Sequence, residues 1–137
     1  MRHHQAIITL LSVPIFSGAC GSGVPSVPPG ERVSYSNHLE PLIIKRCIGC
    51  HTADEPEAEL VLEQGRGYSQ LVDRSSIQVP SVRIVEPGDP GASYLWRKLV
   101  HGSVKGEGMP RTLFGAKKLP EAELEFIRRW IEEGAKP

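Results

Sequence analysis

The sequence predicts an all-α fold: one small, loop-rich helical domain preceded by an export signal and a flexible tether. Three observations predict it. Apolar residues recur three or four apart at Leu39, Leu42 and Ile43, at Leu95 and Leu99, and at Leu124, Ile127 and Ile131, the period of helices with one buried face. The one stretch with strand character, Val79–Val85, has a proline near each end, which disfavours a substantial sheet. Finally, 137 residues with 39% hydrophobic content suit one globular core and not two large domains, while 14 Gly and 12 Pro set many turns between the helices.

The elements follow in chain order. Residues 1–19 read as a signal peptide: Met1-Arg2-His3-His4, an apolar stretch of 11 residues from Ala6 to Phe16, then Ser17-Gly18-Ala19 before Cys20. A bilayer-spanning helix needs roughly 20 apolar residues, and Pro14 interrupts this stretch, so a permanent span is not expected. Small residues ahead of a cysteine are similar to a bacterial lipobox, which predicts acylation of Cys20 and a periplasmic or cell-surface lipoprotein anchored to a membrane. Ser17 departs from the aliphatic residue usual three places before that cysteine, so plain cleavage near Ala19 is the alternative. Residues 20–34 are rich in Gly, Ser and Pro and read as a tether, able to reach roughly 40 Å at about 3.1 Å per residue if fully extended. The domain proper is expected over residues 35–137.

Within it, Asn37 is placed to cap a short helix leading to Cys47. Pro87-Gly88-Asp89-Pro90 combines a turn with an N-cap aspartate and a first-turn proline, opening a helix through Leu95, Trp96 and Leu99 that stops near Gly102. The strongest helix begins at Pro120 and ends at Gly134, with Phe126 and Trp130 beside its apolar face and Glu121 and Glu123 in its first turn, where the helix dipole favours acids. Trp96, Phe114 and Trp130 are candidates either for the core or for contact with a bound group.

Three cysteines, at 20, 47 and 50, exclude a disulfide-rich scaffold. Cys47-Ile48-Gly49-Cys50-His51 is a CxxCH sequence, the attachment signature of a c-type haem. Two thiols three residues apart on one turn can each form a thioether with a vinyl group on the same porphyrin edge. The next residue, His51, is then carried over the ring face as the proximal iron ligand. One covalent haem is therefore predicted, with no free thiol left once Cys20 takes lipid. A closed zinc site would have to recruit His51 and His38 or His101 beside the cysteine pair. A dithiol redox centre would want a βαβ pattern around the pair, which is missing.

For the sixth ligand, Met109 is the only methionine left once the signal is removed. Glycines before it permit a close approach to a flat ligand, Pro110 fixes the exit, and His/Met ligation raises the reduction potential. The bland alternative is a methionine filling a core gap. His38 and His101 are the competing ligands, His38 more simply a surface or capping residue and His101 a cation at a helix C-terminus.

Lys plus Arg and Asp plus Glu both number 16, so no basic field exists to hold nucleic acid. Charge is nevertheless uneven. Asp54, Glu55, Glu57, Glu59 and Glu63 lie in a stretch without bases, whereas residues 97–118 hold six bases against Glu107. Such polarity either orients a redox partner on encounter or marks ordinary solvated loops.

The chain resembles the class I-like monohaem cytochromes c, and among them the planctomycete-type cytochrome c domain. The resemblance is carried by Cys47-Ile48-Gly49-Cys50-His51, by Val85-Glu86-Pro87-Gly88-Asp89-Pro90 with Ser93 and Leu95, by Met109-Pro110, and by Leu119 to Ala135, ending in Arg129-Trp130-Ile131-Glu132-Glu133-Gly134-Ala135. It implies a helical fold around one haem with His51 and Met109 as axial ligands. The function expected is that of a monomeric, exported electron carrier passing single electrons between redox protein partners, without an enzyme's open iron site. The alternative is a five-coordinate haem enzyme, peroxidase-like, or a gas sensor, in which Met109 is not bound.

Overall fold

A computed structural model describes residues 23–137; the stretch read as a signal peptide, residues 1–19, and Cys20 lie outside the described residues. A π-helical turn, Tyr35–Leu39, runs straight into α1, Glu40–Cys47. A 3-10 turn, Glu57–Glu59, is followed by α2, Gly67–Leu71, and α3, Tyr94–Leu99. Two short strands, β1 (Arg111–Thr112) and β2 (Gly115–Ala116), pair antiparallel, with Arg111 opposite Ala116 and Thr112 opposite Gly115. The last element is α4, Glu121–Glu132.

The expectation of an all-α fold is corrected by this inventory. Four short α-helices and a small two-stranded sheet share the described chain with long turns, so the domain is not plainly all-α. Local hydrogen bonding explains much of the shortfall. Asp89 does not cap α3: its Oδ1 accepts from the Ala92 N–H at 3.0 Å, and the Ser93 hydroxyl donates to the Asp89 carbonyl at 2.8 Å. These side chains hold residues 87–92 in turns and delay the helix to Tyr94, as polar side chains do when they offer the backbone a rival partner. At the first helix the cap is Ser34 rather than Asn37, its Oγ accepting from the Asn37 N–H at 3.2 Å. The hairpin forms because the Thr112 hydroxyl accepts from the Phe114 N–H and donates to the Gly115 carbonyl, at 3.2 and 2.9 Å. Val79–Val85 contributes no strand, only single bridges from Arg83 and Val85 to Ser75 and Val72.

The core is built where α4 meets the N-terminal turn. Trp130 and Ile131 are fully buried, with Leu39, Ile43, Leu71 and Val85 among their companions. The Tyr35 ring packs between Tyr68 and Trp130, with centroids 5.8 and 5.7 Å away. The start of the first helix and the C-terminal segment are tied beside them. The Lys136 carbonyl accepts from both the Tyr35 N–H and Trp130 Nε1, each at 2.9 Å. The segment ahead of the first helix joins in: Val24 and Val27 lie against the core, and Val33 is buried with its N–H donating to Glu133. From α1, Arg46 grips the buried Glu123 of α4 with two bonds, at 2.8 and 2.6 Å. This ion pair adds to the helix-dipole role that the sequence suggests for Glu123.

Tyr35 carries the one buried side-chain polar atom without a partner among the described residues, its hydroxyl. It presses so closely on Gly67 that a Cβ there would stand 2.0 Å from the oxygen. Burial, ahead of the charges of Glu40 and Cys47, pushes its pKa up. The folded state thus favours the neutral phenol. The stability this contributes is present below the ordinary tyrosine value of about 10 and is lost as pH rises above it. Tyr35→Phe is expected to flatten the alkaline limb of a melting-temperature profile and to stabilise the protein by about 1 kcal/mol near neutrality, since an unpartnered buried hydroxyl disappears. An unchanged alkaline limb would assign the loss to other groups.

Candidate haem attachment site

Helix α1 ends in the chemistry. Cys47 is its last residue and Ile48 continues in helical geometry. The Cys50 N–H then donates to the Cys47 carbonyl and the His51 N–H to the Ile48 carbonyl, both at 3.2 Å. Both thiols and the imidazole therefore sit on one tightened turn at the helix terminus, the form a helix end takes when it satisfies its last carbonyls locally.

The histidine is oriented by the backbone that follows. His51 is buried, and its Nδ1 lies 3.1 Å from the Leu60 carbonyl. A carbonyl only accepts, so Nδ1 carries the proton and Nε2 keeps its lone pair. The Leu62 N–H donates to the His51 carbonyl at 2.8 Å, fixing the backbone as well. Burial lowers the His51 pKa, against the opposing hydrogen bonds to Leu60 and Glu57, which favours the neutral imidazole that a metal requires.

The two cysteines differ. Cys50 is exposed and borders an open groove of about 470 Å³ lined by Gly49, Thr52, Glu55, Pro56 and Glu57. Cys47 lies against the core, where burial, followed by the charge of Cys50, pushes its thiol up to about 12. No strand precedes α1 among the described residues, so the βαβ setting of a thioredoxin-like dithiol is missing. Nor does the zinc alternative find its ligands: among the described residues no group of three or more His, Cys, Asp or Glu is gathered as a metal site. His38 is buried and engaged, its Nδ1 accepting from the Ser34 N–H at 3.0 Å and its Nε2 3.7 Å from Glu31. Of the surface or capping roles that the sequence suggests for it, the structure shows the capping one, at the N-cap residue of the first helix.

Met109 sits on a separate loop after α3, partly buried against the core, and does not line the groove beside Cys50. Its N–H donates to the Lys98 carbonyl at 2.9 Å. His101, in left-handed backbone with φ 56°, places Nε2 3.1 Å from the Met109 carbonyl, so this histidine holds the methionine loop instead of neutralising a helix end. Trp130 is core, Trp96 is partly buried, and Phe114 stands fully exposed at the hairpin tip with Leu113. The structure thus brings Cys47, Cys50 and His51 together on one turn, with Met109 on a separate loop packed against the same core as Cys47. Sequence reasoning missed the Leu60 carbonyl and Lys98, whose roles depend on where later backbone returns.

A buried imidazole with a fixed tautomer, presented by a helix-end turn that also carries two thiols, fits the donor set of a c-type haem and defines the class: a c-type cytochrome domain. Residues 47–111 match the family described as Planctomycete cytochrome C, and the chain carries a cytochrome c-type domain of that planctomycete type. It is accordingly a haem-binding electron-transfer protein, consistent with a carrier rather than an enzyme. No curated protein and no solved structure matches the chain.

Proposed function

We propose that this chain is an exported monohaem cytochrome c that relays single electrons between redox protein partners, anchored to a membrane by lipid on Cys20. Cys47 and Cys50 hold one haem by thioethers, His51 is the proximal ligand and Met109 the distal one. When bound, the haem supplies the one-electron couple of its iron. The observation that carries the reading is His51, buried, with Nδ1 committed to the Leu60 carbonyl and Nε2 left as the donor. That second partner orients the ring and raises the basicity of the ligating nitrogen. Met109 contributes a soft thioether that favours the reduced iron, and with both axial positions filled by protein no open site remains for a substrate.

A reduced-minus-oxidised absorption spectrum of the purified mature protein tests the reading, the expected result being the bands of a six-coordinate c-type haem. Met109→Ala is expected to lower the potential and open the iron to carbon monoxide and cyanide while the haem stays covalently attached. Rapid cyanide binding by the unaltered protein supports the five-coordinate alternative instead.

A further inference from the structure

We propose that Lys98 is a positioning residue for Met109, pinning the methionine loop to α3 so that the thioether is held ready for the iron; this rests on Met109 being the sixth ligand. Lys98 is buried, yet its ammonium is satisfied by carbonyls: Nζ donates to the Lys105 carbonyl at 2.6 Å and to the Glu107 carbonyl at 2.9 Å. The same residue's carbonyl accepts from the Met109 N–H at 2.9 Å. One side chain and its own peptide thus hold the loop at positions 105, 107 and 109.

Neighbouring contacts close the clip. Tyr94 lies beneath the ammonium, 5.5 Å from Nζ to the ring centroid, and its hydroxyl accepts from the Lys105 N–H at 3.1 Å. On the other side, His101 donates to the Met109 carbonyl, and its ring sits where a Cβ on Gly108 would stand 2.3 Å from Cδ2, so only glycine admits the approach. Residues 102–110 contain three glycines and form no helix or strand. Without the clip, such a loop has many conformations to lose before Met109 is in place. A buried ammonium is costly unless hydrogen-bonded, and here two of its three donors go to the loop's carbonyls, so the cation dictates the loop's course.

The test uses the haem-loaded mature protein with Lys98→Met, which keeps an apolar stem and removes the donors, and Lys98→Arg, which restores donors. Haem content is checked to be equal. If losing the clip raises about tenfold the fraction of time that the thioether is out of place, the methionine-to-iron absorption falls and cyanide binding rises by about tenfold, with partial recovery in the arginine variant. If Met109→Ala abolishes that absorption while Lys98→Met matches the unaltered protein, the positioning role is overturned and the ligand stands. If Met109→Ala changes neither readout, the ligand reading fails and the positioning role with it. Hydrogen exchange on the unaltered protein covers a variant that does not fold: the Met109 amide is expected to be protected while that of Gly106 exchanges freely, and equally fast exchange at both overturns the clip.

Discussion

Converting both Cys47 and Cys50 to serine is expected to abolish haem retention on a denaturing gel, the largest single effect on the site. A thioether survives denaturation and an iron–imidazole bond does not, so haem staining of the denatured band reads covalent attachment alone. Serine is nearly isosteric but is no thiol, and the attachment turn keeps its two helical hydrogen bonds at 3.2 Å, because they run between backbone groups. The single variants should each retain a stained band through one remaining thioether. The haem-free protein offers a separate check on the two environments. Exposed Cys50 should react readily with an alkylating reagent while Cys47, its thiol pushed up to about 12 by burial, resists until the chain unfolds, since the thiolate is the nucleophile. A stained double variant would move the attachment elsewhere and overturn the reading of the CxxCH turn. The double variant should also melt at a lower temperature, because the contacts that a covalently held haem makes only with the folded chain are lost.

The turn that gathers Cys47, Cys50 and His51 was legible because its geometry is local. Cys47, Cys50 and His51 need only one turn of backbone to act together, so spacing alone describes them. Helix α4 was legible for a related reason: Leu124, Ile127 and Ile131 repeat at helical period over two turns, and the buried face follows that repeat. What spacing could not express were partners supplied by distant backbone. Leu60 fixes the tautomer of His51 from nine residues away, and Lys98 meets Glu107 across a loop of the same length. Arg46 reaches Glu123 across 77 residues. The start of α3 and the presence of the hairpin were decided by hydroxyls, Ser93 and Thr112, bonding to their own neighbourhood. Those contests between helix and turn are settled by a few hydrogen bonds, each worth about 1 kcal/mol, too little for an apolar pattern to forecast.

Trp130→Ala is expected to be the most destabilising single change. The indole is fully buried, and truncating such a side chain costs about 3–5 kcal/mol through lost apolar contact and the cavity left behind. Two further interactions go with it: the packing of Tyr35 at 5.7 Å, and the Nε1 donation to the Lys136 carbonyl that helps hold the C-terminal segment. Against a total stability of about 5–15 kcal/mol, that is a third or more in most of the range, and it should lower the melting temperature by at least about 12 °C. Trp130→Phe separates the terms. It keeps a ring against Tyr35 and loses the N–H, while the Lys136 carbonyl retains the Tyr35 N–H at 2.9 Å, so a smaller loss is expected. A melting temperature within a few degrees of the unaltered protein for Trp130→Ala would mean that α4 does not organise the core. If the loss is as large as expected, a haem-loaded Trp130→Ala protein should regain part of it, since a bound haem stabilises the folded chain without restoring the indole.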